Sequence, residues 1–207
     1  SIGYFQSMEE EVDIDACKKN GIDYVRRVTG GGAVYHDSQG EITYSVIVPE
    51  EHEKIPRNIL ESYNVLCGGI VNGLRALGLN AEFKPVNDII VNGKKISGNA
   101  HTRRNKRILQ HGTILCDVNP GLMFSVLKVP DEKLRDKMIK TVEERVTSIK
   151  KELGSVDKGK VVDALVTGFE RALGVELVKG DITKEELLLT EELKKCKYGT
   201  KEWNFKR

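Results

Sequence analysis

Apolar residues at Ile59, Leu60, Tyr63, Leu66, Ile70, Leu74 and Leu77 recur at steps of three and four, with Pro56 ahead of them and Gly78 just beyond. That spacing lines one face of a helix and predicts one over residues 56–77. Residues 41–48 instead alternate polar with apolar side chains, the mark of a half-buried strand. Residues 12–19 carry Val12, Ile14, Ala16 and Cys17 and stop at Asn20-Gly21, a short helix with its break. Residues 24–28 read as a strand, Thr29-Gly30-Gly31-Gly32 interrupts it, and Ala33-Val34-Tyr35-His36 resumes it before a polar turn at 37–40. The opening residues 1–5 also read as a strand. After the long helix, residues 81–83, 89–91, 95–100 and 107–116 are expected strands, with Asn92-Gly93 a two-residue hairpin signal. Beyond Asn119-Pro120 the pattern turns helical, over residues 122–127, 132–139, 159–173 and 184–197. Sheet first and helices later predict an α+β fold, mixed or antiparallel strands flanked by helices. With no repeat and no linker, residues 1–207 are expected to form one domain. Residues 129–150 are densely charged and poor in bulky apolar groups, which suits either a solvated surface helix or a loop with short helical pieces.

Composition narrows the class. Thirty-three Lys+Arg against 31 Asp+Glu leave a formal charge of +2, so bulk electrostatics argue for neither nucleic acid nor an anionic membrane. No apolar run approaches the roughly 20 residues that span a bilayer. A cytoplasmic protein without membrane or nucleic-acid partner is expected. The cysteines at 17, 67, 116 and 196 make no CxxC pair and suggest neither a zinc cluster nor a disulfide scaffold. The first methionine is Met8, inside what reads as folded sequence, so a native N-terminal segment is expected upstream.

Three stretches carry candidate chemistry. In Arg26-Arg27-Val28-Thr29-Gly30-Gly31-Gly32, glycines permit close approach to backbone N–H groups and the arginines offer a charged fork for phosphate or carboxylate. Neither a P-loop nor a dinucleotide fingerprint is present, and a glycine turn between strands serves structure as readily as a ligand. In Asn87-Asp88 and Lys94-Lys95-Ile96-Ser97-Gly98-Asn99, a strand lysine beside small residues can hold its ammonium over a carboxylate or phosphate, while Asp88 suits magnesium or a sugar hydroxyl. A basic hairpin tip accounts for at least one of the two lysines. In Gln110-His111-Gly112, the imidazole fits proton transfer or ligand binding, or a satisfied buried polar group. The basic residues 101–107 lack interleaved aromatics and fit a solvated turn. Cys67 and Cys116 fit small core positions better than nucleophiles.

Taken in order, RRVTGGGAVYHD, KPVND, GKKISGNA and QHGTIL resemble the lipoate-protein ligase family, within the wider group of octanoyltransferases and biotin ligases, and the likeness runs from IGYFQ to EWNF. The resemblance implies a catalytic domain like those of biotin ligases and class II aminoacyl-tRNA synthetases. It implies ATP-dependent activation of lipoate to lipoyl-AMP, followed by transfer to a lysine of an acceptor protein. It places ATP at Arg27, Gly32, Ala33, Val34, Tyr35, Asn87, Asp88 and Lys95, and lipoate at Gly31, Gly32, His36, Lys95, His111 and Gly112. Lys95 is then the catalytic residue, and Asp88 a Mg2+ ligand. The acceptors implied are E2 subunits of 2-oxoacid dehydrogenases and the glycine cleavage H protein. The charged residues 129–150 match a loop that closes over the adenylate. The chain stops soon after Trp203-Asn204-Phe205, which resembles the archaeal arrangement with a separate small accessory-domain protein. The alternative is an octanoyltransferase that takes its acyl group from acyl carrier protein without ATP. Related enzymes of that kind pass the acyl chain through a cysteine thioester, or use lysine with cysteine, placed in or beyond the second half of the domain, whereas residues 117–195 contain no cysteine and Cys116 just before them keeps this alternative open. A lipoyl carrier is a third reading, in which an exposed lysine such as Lys95 would itself be acylated.

Overall fold

The structure, a computed structural model, describes residues 1–129 and 134–206. The start of the expected helix at 132–139 therefore lies outside the described residues, as does part of the charged stretch 129–150. In chain order the elements are α1 (Met8–Glu11), α2 (Ile14–Lys19), β1 (Glu41–Pro49), α3 (Ile59–Ala76), β2 (Ala81–Lys84), β3 (Asp88–Val91), β4 (Lys94–Arg104) and β5 (Arg107–Leu115). There follow α4 (Pro120–Val126), α5 (Arg135–Arg145), α6 (Ile149–Leu153), α7 (Lys158–Leu173), α8 (Lys184–Leu193), a π-helical turn (Lys194–Tyr198) and α9 (Lys201–Asn204). They fall into two compact units, Asp37–Asn119 with Lys140–Leu177, and Ser1–His36 with Pro120–Ile139 and Val178–Arg207.

The first unit holds a five-stranded antiparallel sheet in the order β1-β5-β4-β3-β2. The Asn92-Gly93 signal is realised as the turn between β3 and β4, with both residues at positive φ. Asn105 and Lys106, at φ 50 and 57, turn β4 into β5. The basic stretch is thus mostly strand, and Arg103 turns in to donate to the Pro56 carbonyl at 2.7 Å. The core joins Leu66, Ile70 and Leu74 of α3 to Ile89, Val91, Ile96, Ile108 and Ile114 of the sheet and to Leu165 and Phe169 of α7. Each such aliphatic side chain contributes roughly 1.5–3 kcal/mol when fully buried. Helices α3 and α7 pack directly together because glycines line their crossing. A Cβ on Gly168 would lie 2.1 Å from the Gly69 carbonyl oxygen, so only backbone fits there. Asn58 caps α3 by accepting from the Glu61 N–H, so the helix starts at Ile59, three residues after Pro56, on the predicted apolar face.

The second unit contains no regular strand among the described residues. Segments 1–5 and 24–28 run alongside each other through Ile2 N–H to Val25 O and Arg27 N–H to Ile2 O, but amount to one parallel bridge at Ile2 and Arg26. The contact goes on only as single bonds, from the Tyr4 N–H to the Thr29 carbonyl and, past the glycine triplet, between Ser1 and Val34 in both directions. The expected helix at 12–19 starts only at Ile14, because Val12 is bridged to Leu127 and Asp13 caps the Ala16 N–H. A small core of Ile2, Met8, Val12, Cys17 and Val126 holds this unit, with Tyr24, Ala33, Tyr35 and Phe205 packed on it. The expected helix at 184–197 begins in a Thr183–Glu186 capping box and passes into the π-helical turn after Leu193. Among the described residues, no helix is long and apolar enough to cross a membrane.

Candidate active site

Lys95 is presented by a break in strand register. Ile89 on β3 faces Ser97, yet the next residue, Ile90, faces Lys95, so β4 carries Ile96 as an extra residue. Ile96 and Ser97 are both buried as a result, and Lys95 is rotated onto the face of Gly98. Its ammonium lies across the Gly98 α-carbon, where a Cβ would stand 3.0 Å from both Cε and Nζ. It ends 2.6 Å from Asp88 Oδ1 at the start of β3. Both side chains keep substantial exposure, at 42% and 32%, so the pair orients the ammonium rather than adding more than about 1 kcal/mol of stability. From the other side Val146 bridges Lys95, and the Thr147 N–H donates to the Lys95 carbonyl at 2.8 Å. The charged stretch therefore ends at the lysine through α5, a contact no local pattern reports.

Asp88 was the expected magnesium ligand. Asp88 is engaged by an ammonium, and no cluster of three metal-ligating side chains exists among the described residues. His111 and Gly112 are neighbours on β5 whose side chains alternate between faces. Gly112 stands on the core face between Tyr44 and Asn99, where a Cβ would come 2.3 Å from Asn99 Oδ1. Asn87 lies in the turn before β3, its carbonyl accepting from the Asn99 N–H.

The glycine loop falls in the other unit. Arg27 donates through Nη2 to the carbonyls of Gly30 and Gly32, both at 2.8 Å, and so shapes the loop itself. Gly31 adopts φ 101, which favours glycine, and nothing stands within 4 Å of a Cβ built on Gly32. Gly3 approaches so closely that its Cβ would meet the Gly31 carbonyl oxygen at 1.9 Å. Ala33 and Tyr35 pack on the small core, the Val34 N–H donates to the Ser1 carbonyl, and His36 Nε2 lies 2.9 Å from the Ser1 hydroxyl. Arg26, adjacent in sequence, is a buried clip whose guanidinium donates to carbonyls of Gly3, Tyr4, Gln6, Trp203, Asn204 and Lys206. Two consecutive arginines thus have unrelated work, which residue type alone does not distinguish.

Three of the four thiols are poorly placed for nucleophilic attack. Cys17, Cys67 and Cys116 are buried, and burial raises all three above the ordinary thiol range, Cys67 to about 12. Cys196 is exposed in the π-helical turn.

Residues 1–170 match the lipoyl protein ligase A/B catalytic domain family. The octanoyltransferase LipM of Geobacillus kaustophilus is 39% identical over 232 aligned positions, covering all of this chain and 82% of that protein. That of Bacillus subtilis is 35% identical, again over the whole chain and 82% of the relative. Among solved structures, the bi-partite lipoate protein ligase of Thermoplasma acidophilum, described with its E2 lipoyl domain, superposes with a TM-score of 0.89 at 41% identity. It matches 99% of this chain and 78% of that one. A lipoate-protein ligase A bound with ATP gives 0.83 at 37% identity, over 99% and 80% of the two chains. A biotin protein ligase of Aquifex aeolicus shares the fold alone, at 16% identity and TM-score 0.51 over 72% and 56%. The expected α+β, biotin-ligase-like architecture is the one found. The expected ATP-dependent ligase activity is corrected: relatives from 32% to 40% identical, matched over the whole of this chain, are octanoyltransferases, which favours the alternative stated with it.

Proposed function

Since the chain belongs to the lipoyl protein ligase A/B catalytic-domain family, we propose that it transfers an octanoyl group from the thioester of a carrier protein to a lysine of a lipoyl-acceptor domain, without ATP. The whole-chain likeness to octanoyltransferases carries this reading, and the fixed ammonium of Lys95 supports it. In the transfer, the neutral acceptor amine attacks the thioester carbonyl carbon. A C–N bond forms and the C–S bond breaks, its electron pair leaving with the carrier thiolate, which takes up the proton shed by the amine. Negative charge gathers on the carbonyl oxygen between these events. An ammonium already held in place stabilises that charge without reorganising, which is why position matters more than bulk charge. Acceptors of the E2 lipoyl-domain type fit the same amine chemistry, as does the H protein.

No enzyme thiol is needed. The burial of Cys17, Cys67 and Cys116 argues for direct transfer over a cysteine-bound intermediate.

The test mixes the protein with octanoyl carrier protein and an E2 lipoyl domain in the absence of ATP and follows the acceptor by intact mass. An octanoyl increment on the acceptor is expected, with no acyl adduct on this chain after an acid quench. Acceptor modified only when free octanoate and ATP are supplied would overturn the reading.

A further inference from the structure

We infer that Asn99 is a positioning residue for Lys95, acting through the turn that carries Asn87 and Asp88, an assignment that rests on the acyl-transfer reading above. Asn99 is 4% exposed and lies four residues along β4 from the lysine. The extra residue at Ile96 puts the two side chains on opposite faces, so Asn99 works from the core side. Its partner is the turn between β2 and β3, which has little apolar anchorage of its own, since Val86 is exposed. Asn99 supplies the anchor. Its main-chain N–H and its Nδ2 both donate to the Asn87 carbonyl, at 3.1 and 2.9 Å, and its own carbonyl accepts from Asn87 Nδ2. Asp88 follows directly and meets Lys95 at 2.6 Å. The chain of cause runs from a buried amide to a turn, from the turn to a carboxylate, and from the carboxylate to the ammonium.

The amide's orientation is fixed from behind. Tyr44 donates its hydroxyl to Asn99 Oδ1 at 2.6 Å, and Ser97 Oγ lies at 3.4 Å from the same atom. Gln110 Nε2 in turn donates to the Tyr44 oxygen at 3.0 Å. Burial pushes the Tyr44 phenol well above its ordinary range, so it remains a donor throughout neutral and mildly alkaline pH. With Oδ1 committed to Tyr44, Nδ2 must face the Asn87 carbonyl. A carboxylate at 99 would oppose two acceptors there, and a serine would be too short. The absent side chain at Gly112 is what leaves room for this bridge, since a Cβ would stand 2.3 Å from Oδ1 and 3.0 Å from the Tyr44 ring.

The experiment uses the full chain with Asn99→Ala, Tyr44→Phe, Asp88→Asn and the double variant Asn99→Ala/Asp88→Asn. Two quantities are read: transfer kinetics, and the labelling of Lys95 relative to Lys94 by a small amine-reactive reagent, mapped by peptide mass. Asn99→Ala is expected to lower kcat on the order of tenfold to a hundredfold, the scale of a displaced catalytic group, while KM for the octanoyl donor stays within about threefold. Tyr44→Phe, which removes only one hydroxyl and keeps the ring, moves kcat the same way by less. In the double variant the effect of Asn99→Ala largely disappears, because the contact it acts through is already gone. Labelling of Lys95 over Lys94 rises in Asn99→Ala and in Asp88→Asn alike. Additive losses, or unchanged labelling of Lys95 in both Asn99→Ala and Tyr44→Phe, would overturn the assignment. If the parent protein transfers no octanoyl group yet the labelling shifts as stated, the acyl-transfer reading fails and the positioning stands.

Discussion

Lys95→Ala is expected to lower octanoyl transfer by about 10²- to 10³-fold, the loss found when one preorganised donor to a developing oxyanion is removed. The thermal midpoint should hardly move. The side chain is 42% exposed and its ion pair with Asp88 is solvated, so stability depends little on it. The backbone at position 95 keeps its bridge to Val146 and its bond from the Thr147 N–H, neither of which needs a side chain. Steady-state transfer measured beside a melting curve therefore separates the catalytic from the structural contribution. Lys94→Ala is the matched control, because the register shift at Ile96 gives Asp88 to Lys95. Equal losses from both alanines would show that general positive charge, and not the fixed ammonium, does the work. The same variant removes the third reading: a carrier would lose a covalent acyl mass of its own, whereas a catalyst has none to lose.

Arg26→Ala should have the opposite profile, with stability lost first. Arg26 is 1% exposed, and its guanidinium satisfies six backbone carbonyls drawn from the first residues and the last. Its main chain adds a bond to Asn204 Oδ1 at 2.7 Å and accepts from Trp203 Nε1 at 2.8 Å. Removing the fork leaves several buried acceptors without a donor, each costing about 1–3 kcal/mol, so a net loss of about 3–5 kcal/mol is expected. That is a large share of a typical domain's stability. Urea unfolding followed by the fluorescence of Trp203 reads it directly, since this indole bonds to Arg26 itself. A midpoint within error of the parent protein would mean that water replaces the fork and that the clip is ornamental. Arg27→Ala is the informative neighbour: it frees the Gly30 and Gly32 carbonyls of a more exposed loop and should destabilise far less.

The contrast between these two arginines shows where local pattern stops. Residue type and spacing marked Arg26-Arg27 and Gly30-Gly31-Gly32 as a place where an anion or a backbone could be held. They carried no information on which arginine faces inward, because that depends on Trp203, Asn204 and Lys206, about 177–180 positions away. The reaction shows the same limit. A strand lysine beside small residues suits any developing charge on an acyl or phosphoryl oxygen, so the motif reads equally as an adenylating or a thioester-using site. Octanoyltransferase relatives matched over the whole of this chain favour the thioester-using reading, where residue chemistry favoured neither.

By itself the sequence determined the elements whose signal is periodic and local: the apolar stripe of α3, the alternation of β1, the Asn92-Gly93 turn, the helical second half and the ordered motifs that mark the family. A helix or strand face is set by neighbours three, four or two residues apart, and a turn by the φ its residues tolerate, so these are written in the chain. Tertiary structure alone decided the division into two units, the collapse of the expected strands at 1–5 and 24–28 to one bridge, and the presentation of Lys95. Strict alternation along β4 would place Lys95 on the face of Ser97 and Asn99, and only pairing with β3 reveals the extra residue at Ile96 that turns it toward Asp88. Strand register is fixed by the fit of whole faces against a common core, and that fit sums contacts among segments no local window contains.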